Sequence, residues 1–258
     1  MNNVRTMAIV DYVREHKYCS TTELMRAFEV STATIRRDIA EIVRGNHLRK
    51  VHGGLAALDA PAVAVAPARN DPFAERVQTN ADAKARLARQ AETMIANGDI
   101  LFLDSSTTAL FLARQLQNSP LANLTIVTNS VSIIQEFRLF PPPFVLVAVG
   151  GSYNPQLNAF LGKAAVESLR RLQIDRAFLS AAGLTKDGLF TYHESHAEFL
   201  HAVRATAREV HVLLDRSKFN KSALFPICAL DRLESLLTDA APPDEIGQGL
   251  PRCLVAPP

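Results

Sequence analysis

Apolar residues repeat with helical spacing through the first fifty positions and then as short strand-like blocks separated by helical stretches. Ile9, Val10 and Val13 mark a helix over residues 4–16. Ser20 and Glu23 have the S-x-x-E form of a capping box, which starts a short helix at Thr21. Leu24 and Phe28, four apart, form its buried stripe. Glu29 and Val30 make the turn. Ser31 is placed to cap a further helix whose Ile35, Ile39 and Ile42 or Val43 recur with helical period. Gly45 and Asn46 stop that helix, and residues 47–54 read as a strand turning at Gly53 and Gly54.

Residues 55–71 are rich in Ala, Val and Pro, with Pro61, Pro67 and then Pro72 breaking any period. This predicts an extended connector, with an edge strand through Val63 and Val65 as the alternative. Beyond it, helix and strand alternate. Leu87, Ala88, Ala91 and Ile95 lie on one stripe of a helix over 80–97 that ends at Gly98. Strands follow at 100–103, 124–127, 145–149, 176–179 and 210–214, with helices at 107–116, 131–137, 163–172 and 195–208. Continuous apolar strands between amphipathic helices predict a mostly parallel, Rossmann-like sheet covered on both faces, with 233–238 among the added edge strands. The expected division is 1–57 for the first domain, 58–75 for the connector and 76–258 for the second domain.

Charge separates the two parts. Residues 1–54 hold nine Lys and Arg against six Asp and Glu, while the remainder holds nineteen against twenty. The positive excess therefore sits with the helical pair, as a phosphate-binding module requires. At 100° per residue the face opposite the isoleucines carries Ala33, Thr34, Arg36, Arg37, Ala40 and Arg44, small, hydroxyl and guanidinium groups suited to base edges and phosphates. Thr21, Thr22, Ser31 and Thr32 at the helix starts, and Arg49, Lys50, His52, Gly53 and Gly54 in the basic hairpin, complete the candidate contacts to double-stranded DNA. One such module makes few contacts, so a homo-oligomer, dimer or tetramer, is expected on repeated half-sites.

Composition adds exclusions. Cys19, Cys228 and Cys253 are odd in number and far apart, which predicts neither a disulfide framework nor a zinc site. No leader pattern and no apolar run of membrane-spanning length appears, so a cytoplasmic protein without a membrane partner is expected.

Polar groups cluster where predicted strands end. Asp104, Ser105, Ser106, Thr107 and Thr108 follow one strand; Thr128, Asn129 and Ser130 follow the next. Gly150 and Gly151, the loop from Ser180 to Gly183, and the loop from Asp215 to Lys218 complete five. Open α/β sheets place their ligand crevice on that rim. The 105–108 run also opens a helix, whose free N–H groups suit an anion, and Lys218 adds a positive charge. Together they predict a small, hydroxylated, anionic ligand such as a phosphorylated sugar. The competing reading is that hydroxyls after strands simply cap helices. Asp104, Asp175, Glu194 and Asp215 leave acid–base isomerisation open as an alternative. His193, His196 and His201 invite a metal, but no further ligand joins them and none is expected, nor any cofactor.

The run Val30-Ser31-Thr32-Ala33-Thr34-Ile35-Arg36-Arg37-Asp38, followed by Leu48-Arg49-Lys50-Val51-His52-Gly53-Gly54, resembles the amino-terminal winged helix of DeoR-type transcriptional regulators. Pro72 to Arg76, Lys84, Asp104 to Thr108, Thr128 to Ser130, Gly150 with Gly151, Asp175, Ala177 with Phe178, and Asp215 to Phe219 resemble, in order, that family's effector domain. The likeness spans nearly the whole chain. It implies a sequence-specific regulator that represses, or alternatively activates, a carbohydrate operon under control of a phosphorylated sugar. It also implies a domain similar in fold to ribose-phosphate and glucosamine-phosphate isomerases. Their hydroxyl-rich loop holds the phosphate, a role that would fall to Asp104 to Thr108. Thr128 to Ser130 and Gly150 with Gly151 would line the sugar, and Lys218 would complete the pocket. The family usually has glycine where this chain has Ser106. Attached to a DNA reader, such a pocket is expected to sense, not to catalyse.

Overall fold

The computed structural model describes residues 2–16, 18–45, 47–51, 54–57 and 72–257. They form two compact units, Met1–Asn70 and Asp71–Pro258. His52, Gly53 and nearly all of the predicted connector lie outside the described residues, as does the alternative strand through Val63 and Val65.

In the first unit α1 (Asn2–His16) precedes β1 (Tyr18–Ser20), α2 (Thr21–Ala27), α3 (Thr32–Arg44), β2 (Arg49–Val51) and β3 (Gly54–Ala56). Ile9, Val10 and Val13 of α1, Leu24 of α2, and Ile35, Ile39 and Ile42 of α3 bury their stripes together with Cys19, Leu48 and Leu55. The predicted helices are thus present. The hairpin gains a strand that the sequence reading lacks: β3 pairs antiparallel with both β2 and β1, setting Leu55 opposite Lys50 and Cys19. Three residues are too few to show a period, so β1 left no readable pattern.

The second unit opens with α4 (Pro72–Gln78) and α5 (Ala81–Glu92). Then come β4 (Ile100–Leu103), α6 (Thr107–Leu116), β5 (Thr125–Thr128), α7 (Val131–Glu136), β6 (Val145–Ala148), β7 (Ser152–Asn154), β8 (Ala159–Leu161) and α8 (Lys163–Leu169). They are followed by β9 (Ile174–Leu179), β10 (Gly183–Thr185), β11 (Gly188–Thr191), α9 (Glu194–Thr206) and β12 (Ala207–Leu213). β13 (Phe225–Cys228), β14 (Ser235–Thr238), α10 (Asp244–Gly247) and β15 (Cys253–Val255) close the unit.

Seven strands form a wholly parallel sheet in the order β15-β14-β12-β9-β4-β5-β6. Period-2 alternation divides its side chains between two buried clusters. Phe102, Val127, Ala177, Leu179 and Val212 join Leu169, Phe199 and Val203 from α8 and α9. Leu101, Leu103, Ile126, Phe178 and Leu213 join Leu87, Leu112 and Ile133 from α5, α6 and α7. Both faces are therefore covered, as the unbroken apolar strands require. Each fully buried Phe or Leu contributes about 1.5–3 kcal/mol relative to exposure.

Three expectations change. β14 is not an edge strand: all four residues are buried between β12 and β15. The helix predicted over 80–97 ends at Glu92, and Ile95 buries itself from the turn beyond. α4, the β7–β8 hairpin and the antiparallel β10-β11-β13 sheet were not anticipated. Among the described residues no helix is long and apolar enough to cross a membrane.

Candidate DNA-reading helix and effector cavity

Ser31 caps α3 by accepting the Thr34 N–H at 3.4 Å, and Glu29 turns the chain in the left-handed region at φ 50°. The inner face of α3 buries Ile35, Ile39 and Ile42, so Ser31, Thr32, Ala33, Arg36, Arg37, Ala40 and Arg44 are left exposed and Thr34 half-buried. The inner face also holds one charge, Asp38, fully buried and bound by Arg5 of α1 at 2.7 and 3.1 Å. Pairing answers the desolvation of that carboxylate and fixes α1 against α3. Thr21 is half-buried, and the backbone of Arg49, Lys50 and Gly54 lies in the β2–β3 pair. The side chains of Thr22, Arg49 and Lys50 are outside what the structure describes.

In the second unit a cavity of about 340 Å³ opens at the carboxyl ends of β4, β9 and β12, neighbours in the sheet. The chain runs outward from β4 through β5 to β6 and resumes on the other side with β9. The space between β4 and β9 is thus the switch point at which open α/β sheets bind ligands. Asp104 sits beneath it, fully buried, and accepts Ser106 N–H at 2.8 Å and Ser180 N–H at 2.7 Å. Its carboxylate straps the two rim loops together. Burial pushes it up to about 6, although those hydrogen bonds favour the charged form.

Ser105, Ser106, Thr107 and Thr108 line the cavity where α6 begins. Ser106 Oγ accepts the Ala109 N–H at 3.0 Å, which leaves the first-turn amides of Thr107 and Thr108 without an intrahelical acceptor. Facing them are Arg76, Lys84, Lys218 and Lys221, with Asp215 the one carboxylate among the lining residues. Asp215 accepts Asn80 Nδ2 and Ser217 N–H, each at 2.9 Å. Lys84 is almost completely buried; its ammonium donates to the carbonyls of Arg76 and Thr79 and lies 6.0 Å from the Phe111 ring centroid. Burial lowers it to about 8, so it remains charged at neutral pH. Lys218 is likewise lowered by burial, against the attraction of Asp215.

Residues 5–60 match the model of a DeoR-like helix-turn-helix domain, and residues 79–240 match that of the DeoR C terminal sensor domain. The chain belongs to the DeoR family. Its sequence is 32% identical to the glycerol-3-phosphate regulon repressor of Escherichia coli (strain K12), covering 95% of this chain and 94% of that protein. It is 31% identical to the HTH-type transcriptional regulator IolR of Bacillus subtilis (strain 168), over 96% and 95%. It is also 29% identical to the L-fucose operon activator of Escherichia coli (strain K12), over 93% and 96%.

Within this DeoR-family chain the predicted loops separate into two groups. The loops after β4, β9 and β12 meet at the cavity. Those after β5 and β6, further out in the sheet, do not line it. Thr128 Oγ1 donates to Leu103 O at 2.6 Å, Asn129 Nδ2 donates to Phe160 O at 3.0 Å, and Ser130 Oγ caps α7. The β7–β8 hairpin folds against these groups and against Gly151, where a Cβ would come within 2.5 Å of Leu161 O. Gly150 is exposed with open space beside it. Gly183 is buried next to the cavity loop, where a Cβ would lie 2.0 Å from Lys221 O. Ser106 adopts φ −73° and uses its hydroxyl as the helix cap.

Sequence reasoning did not place Arg76, Thr79, Asn80, Thr191, Tyr192, His193, His196 and Lys221 in the cavity wall. Arg76 and Lys84 stood in the family motif, and His193 and His196 stood out as a pair; those were the available signals. Among the described residues no group of three or more His, Cys, Asp or Glu is placed to hold a metal. His201 is exposed, while His196 binds Thr191.

Proposed function

We propose that this protein is a cytoplasmic, sequence-specific repressor of a carbohydrate operon whose DNA affinity is set by a phosphorylated sugar. The observation that carries the reading is a cation-rich cavity over the first turn of α6, in one chain with an α3 whose Arg36, Arg37 and Arg44 are exposed. The Ser105–Ser106–Thr107–Thr108 turn holds the phosphate through backbone N–H groups, hydroxyls and the helix dipole. Lys218 supplies the mobile charge, and Gly183 lets the 218–221 loop approach. Asp104 acts from beneath by holding the turn in shape. Thr128, Asn129, Ser130, Gly150 and Gly151 act at one remove, by supporting the rim through the β7–β8 hairpin.

The wall of this cavity favours sensing over catalysis. Of the four carboxylates that left isomerisation open, only Asp215 lines the cavity, where it accepts from Asn80 Nδ2 and Ser217 N–H. Asp104 is sealed under the loop, Glu194 is exposed at the start of α9, and Asp175 accepts Ile100 N–H at 2.9 Å at the opposite, amino-terminal rim of the sheet. The acid–base set that isomerisation would need is therefore dispersed.

On DNA, Arg36, Arg37, Arg44, Arg49 and Lys50 contact phosphates and base edges, joined by Thr21, Thr22, Ser31, Thr32, Thr34, His52, Gly53 and Gly54 as further contacts. A homo-oligomer presents two or more such readers to repeated half-sites. Effector binding regulates by favouring one arrangement of the readers over another. The name of the glycerol-3-phosphate regulon repressor supports repression, and that of the L-fucose operon activator gives activation as the second outcome. The test is fluorescence anisotropy of the purified chain on its own upstream DNA and on random fragments at moderate salt, with and without phosphorylated sugars. Equal affinity for both DNAs, or affinity that no phosphorylated sugar alters, sinks the proposal.

A further inference from the structure

Among the described residues, one buried side-chain nitrogen of the cavity-lining residues has no hydrogen-bond partner. His196 is 8% exposed, and its Nδ1 lies 3.0 Å from Thr191 Oγ1, while its Nε2 is enclosed and makes no hydrogen bond. Thr191 is itself 3% exposed, so the ring is held by a buried hydroxyl. Burial first, then the charges of His193 and Arg76, lowers the imidazole to about 4 and keeps it neutral at physiological pH. A neutral ring with one nitrogen engaged offers the other as a single donor or acceptor, according to tautomer. It suits an uncharged oxygen. Phosphate has better partners nearby in Lys218, Lys221 and the α6 amides.

Native proteins rarely leave a buried nitrogen unsatisfied, and an atom that the fold leaves so beside a cavity is accounted for if a ligand completes it. We propose that His196 Nε2 reads a hydroxyl or carbonyl oxygen of the effector, and is thereby the residue that tells a hydroxylated phosphate ester from a bare or alkyl phosphate. This rests on the phosphorylated-sugar reading and adds to it the specificity-determining residue, a neutral ring in the cavity wall. Thr191 is a positioning residue in this scheme, because it selects which protonation of the ring faces the ligand.

The test is calorimetric titration of the full chain with inorganic phosphate, propyl phosphate, glycerol 3-phosphate, ribose 5-phosphate and fructose 6-phosphate. At least one hydroxylated ester should bind about tenfold or more tighter than propyl phosphate, a difference of about 1.4 kcal/mol. His196→Leu should bring that ratio to within about twofold, and His196→Gln, which keeps a donor and an acceptor, should recover part of it. Because either variant can fold poorly, ¹⁵N-histidine NMR of the unaltered chain provides the second measurement. The His196 Nε2 resonance should shift with the favoured ester and stay in place with propyl phosphate. A preference that survives His196→Leu, no preference in the unaltered chain, or a resonance indifferent to the ester overturns the assignment while phosphate binding stands. If no probe binds, inorganic phosphate included, the effector reading itself fails and this inference falls with it.

Discussion

Replacing Asp104 by Asn tests how the cavity floor is built. The carboxylate accepts two backbone N–H groups, from Ser106 and Ser180, in a site closed to solvent. Desolvation exceeds the benefit of those bonds and raises the group from 3.8 to about 6. At about 1.4 kcal/mol per pH unit this amounts to ~3 kcal/mol. The folded-state value lies above the unfolded one. The associated stability is therefore fully present below about pH 4, is lost as pH rises through about 6, and stays lost at pH 7. Asn carries no titrating group, so subtracting the Asp104→Asn curve isolates this contribution from every other carboxylate. It also turns an NH₂ toward one of the two backbone N–H groups, which costs about 1–3 kcal/mol at all pH values. The stability of the native chain minus that of the variant should thus fall by ~3 kcal/mol between pH 4 and pH 7. Urea unfolding of both proteins at intervals of one pH unit measures it. A difference that is flat or grows with pH would refute the argument that burial governs this carboxylate.

Other substitutions separate the roles assigned above. Arg37→Ala should weaken operator binding about tenfold and reduce the slope of log K against log salt by about one, read by anisotropy at several salt concentrations. Gly183→Ala drives a Cβ against Lys221 O, so thermal unfolding should show a loss of about 1–3 kcal/mol, and calorimetry a weaker phosphate-ester affinity. Lys218→Met should lower affinity for propyl phosphate and sugar phosphates alike, because it removes charge and no hydroxyl contact. Thr191→Val should erode the preference for hydroxylated esters and alter the His196 nitrogen shifts in NMR; unchanged shifts would show that Thr191 does not position the ring.

The sequence made legible whatever local chemistry imposes. Ile100–Leu103 and Thr107–Leu116 match the predicted strand and helix residue for residue, because an apolar block and a serine cap bound them. The α3 helix was equally readable from its Ser31 cap and its isoleucine period. Registers across the sheet were not. Loops after five strands look alike in one dimension, yet the cavity opens over β12, β9 and β4 while β5 and β6 lie further out on one side, so Thr128 to Ser130 and Gly150 with Gly151 fell outside the cavity wall. The wall from Arg76, Asn80, Thr191 and His196 was hidden for a related reason. It is assembled from distant segments, as the hydrogen bond between Asn80 and Asp215, 135 residues apart, shows, and spacing along the chain carries no trace of such a meeting. The burial of Asp38 was hidden for the same reason, since its partner Arg5 lies on another helix 33 residues away.

Lys84 is a rivet as well as a charge. Its ammonium clamps the carbonyls of Arg76 and Thr79, the corner joining α4 to α5, and α4 is the first element described after the stretch leading from the DNA-reading half. An incoming anion that claims one of those three protons must compete with the corner for it. On the proposed reading, an effector anion reaching this ammonium would draw on the same protons that fasten the corner, so occupancy of the cavity and the tightness of that joint would change together.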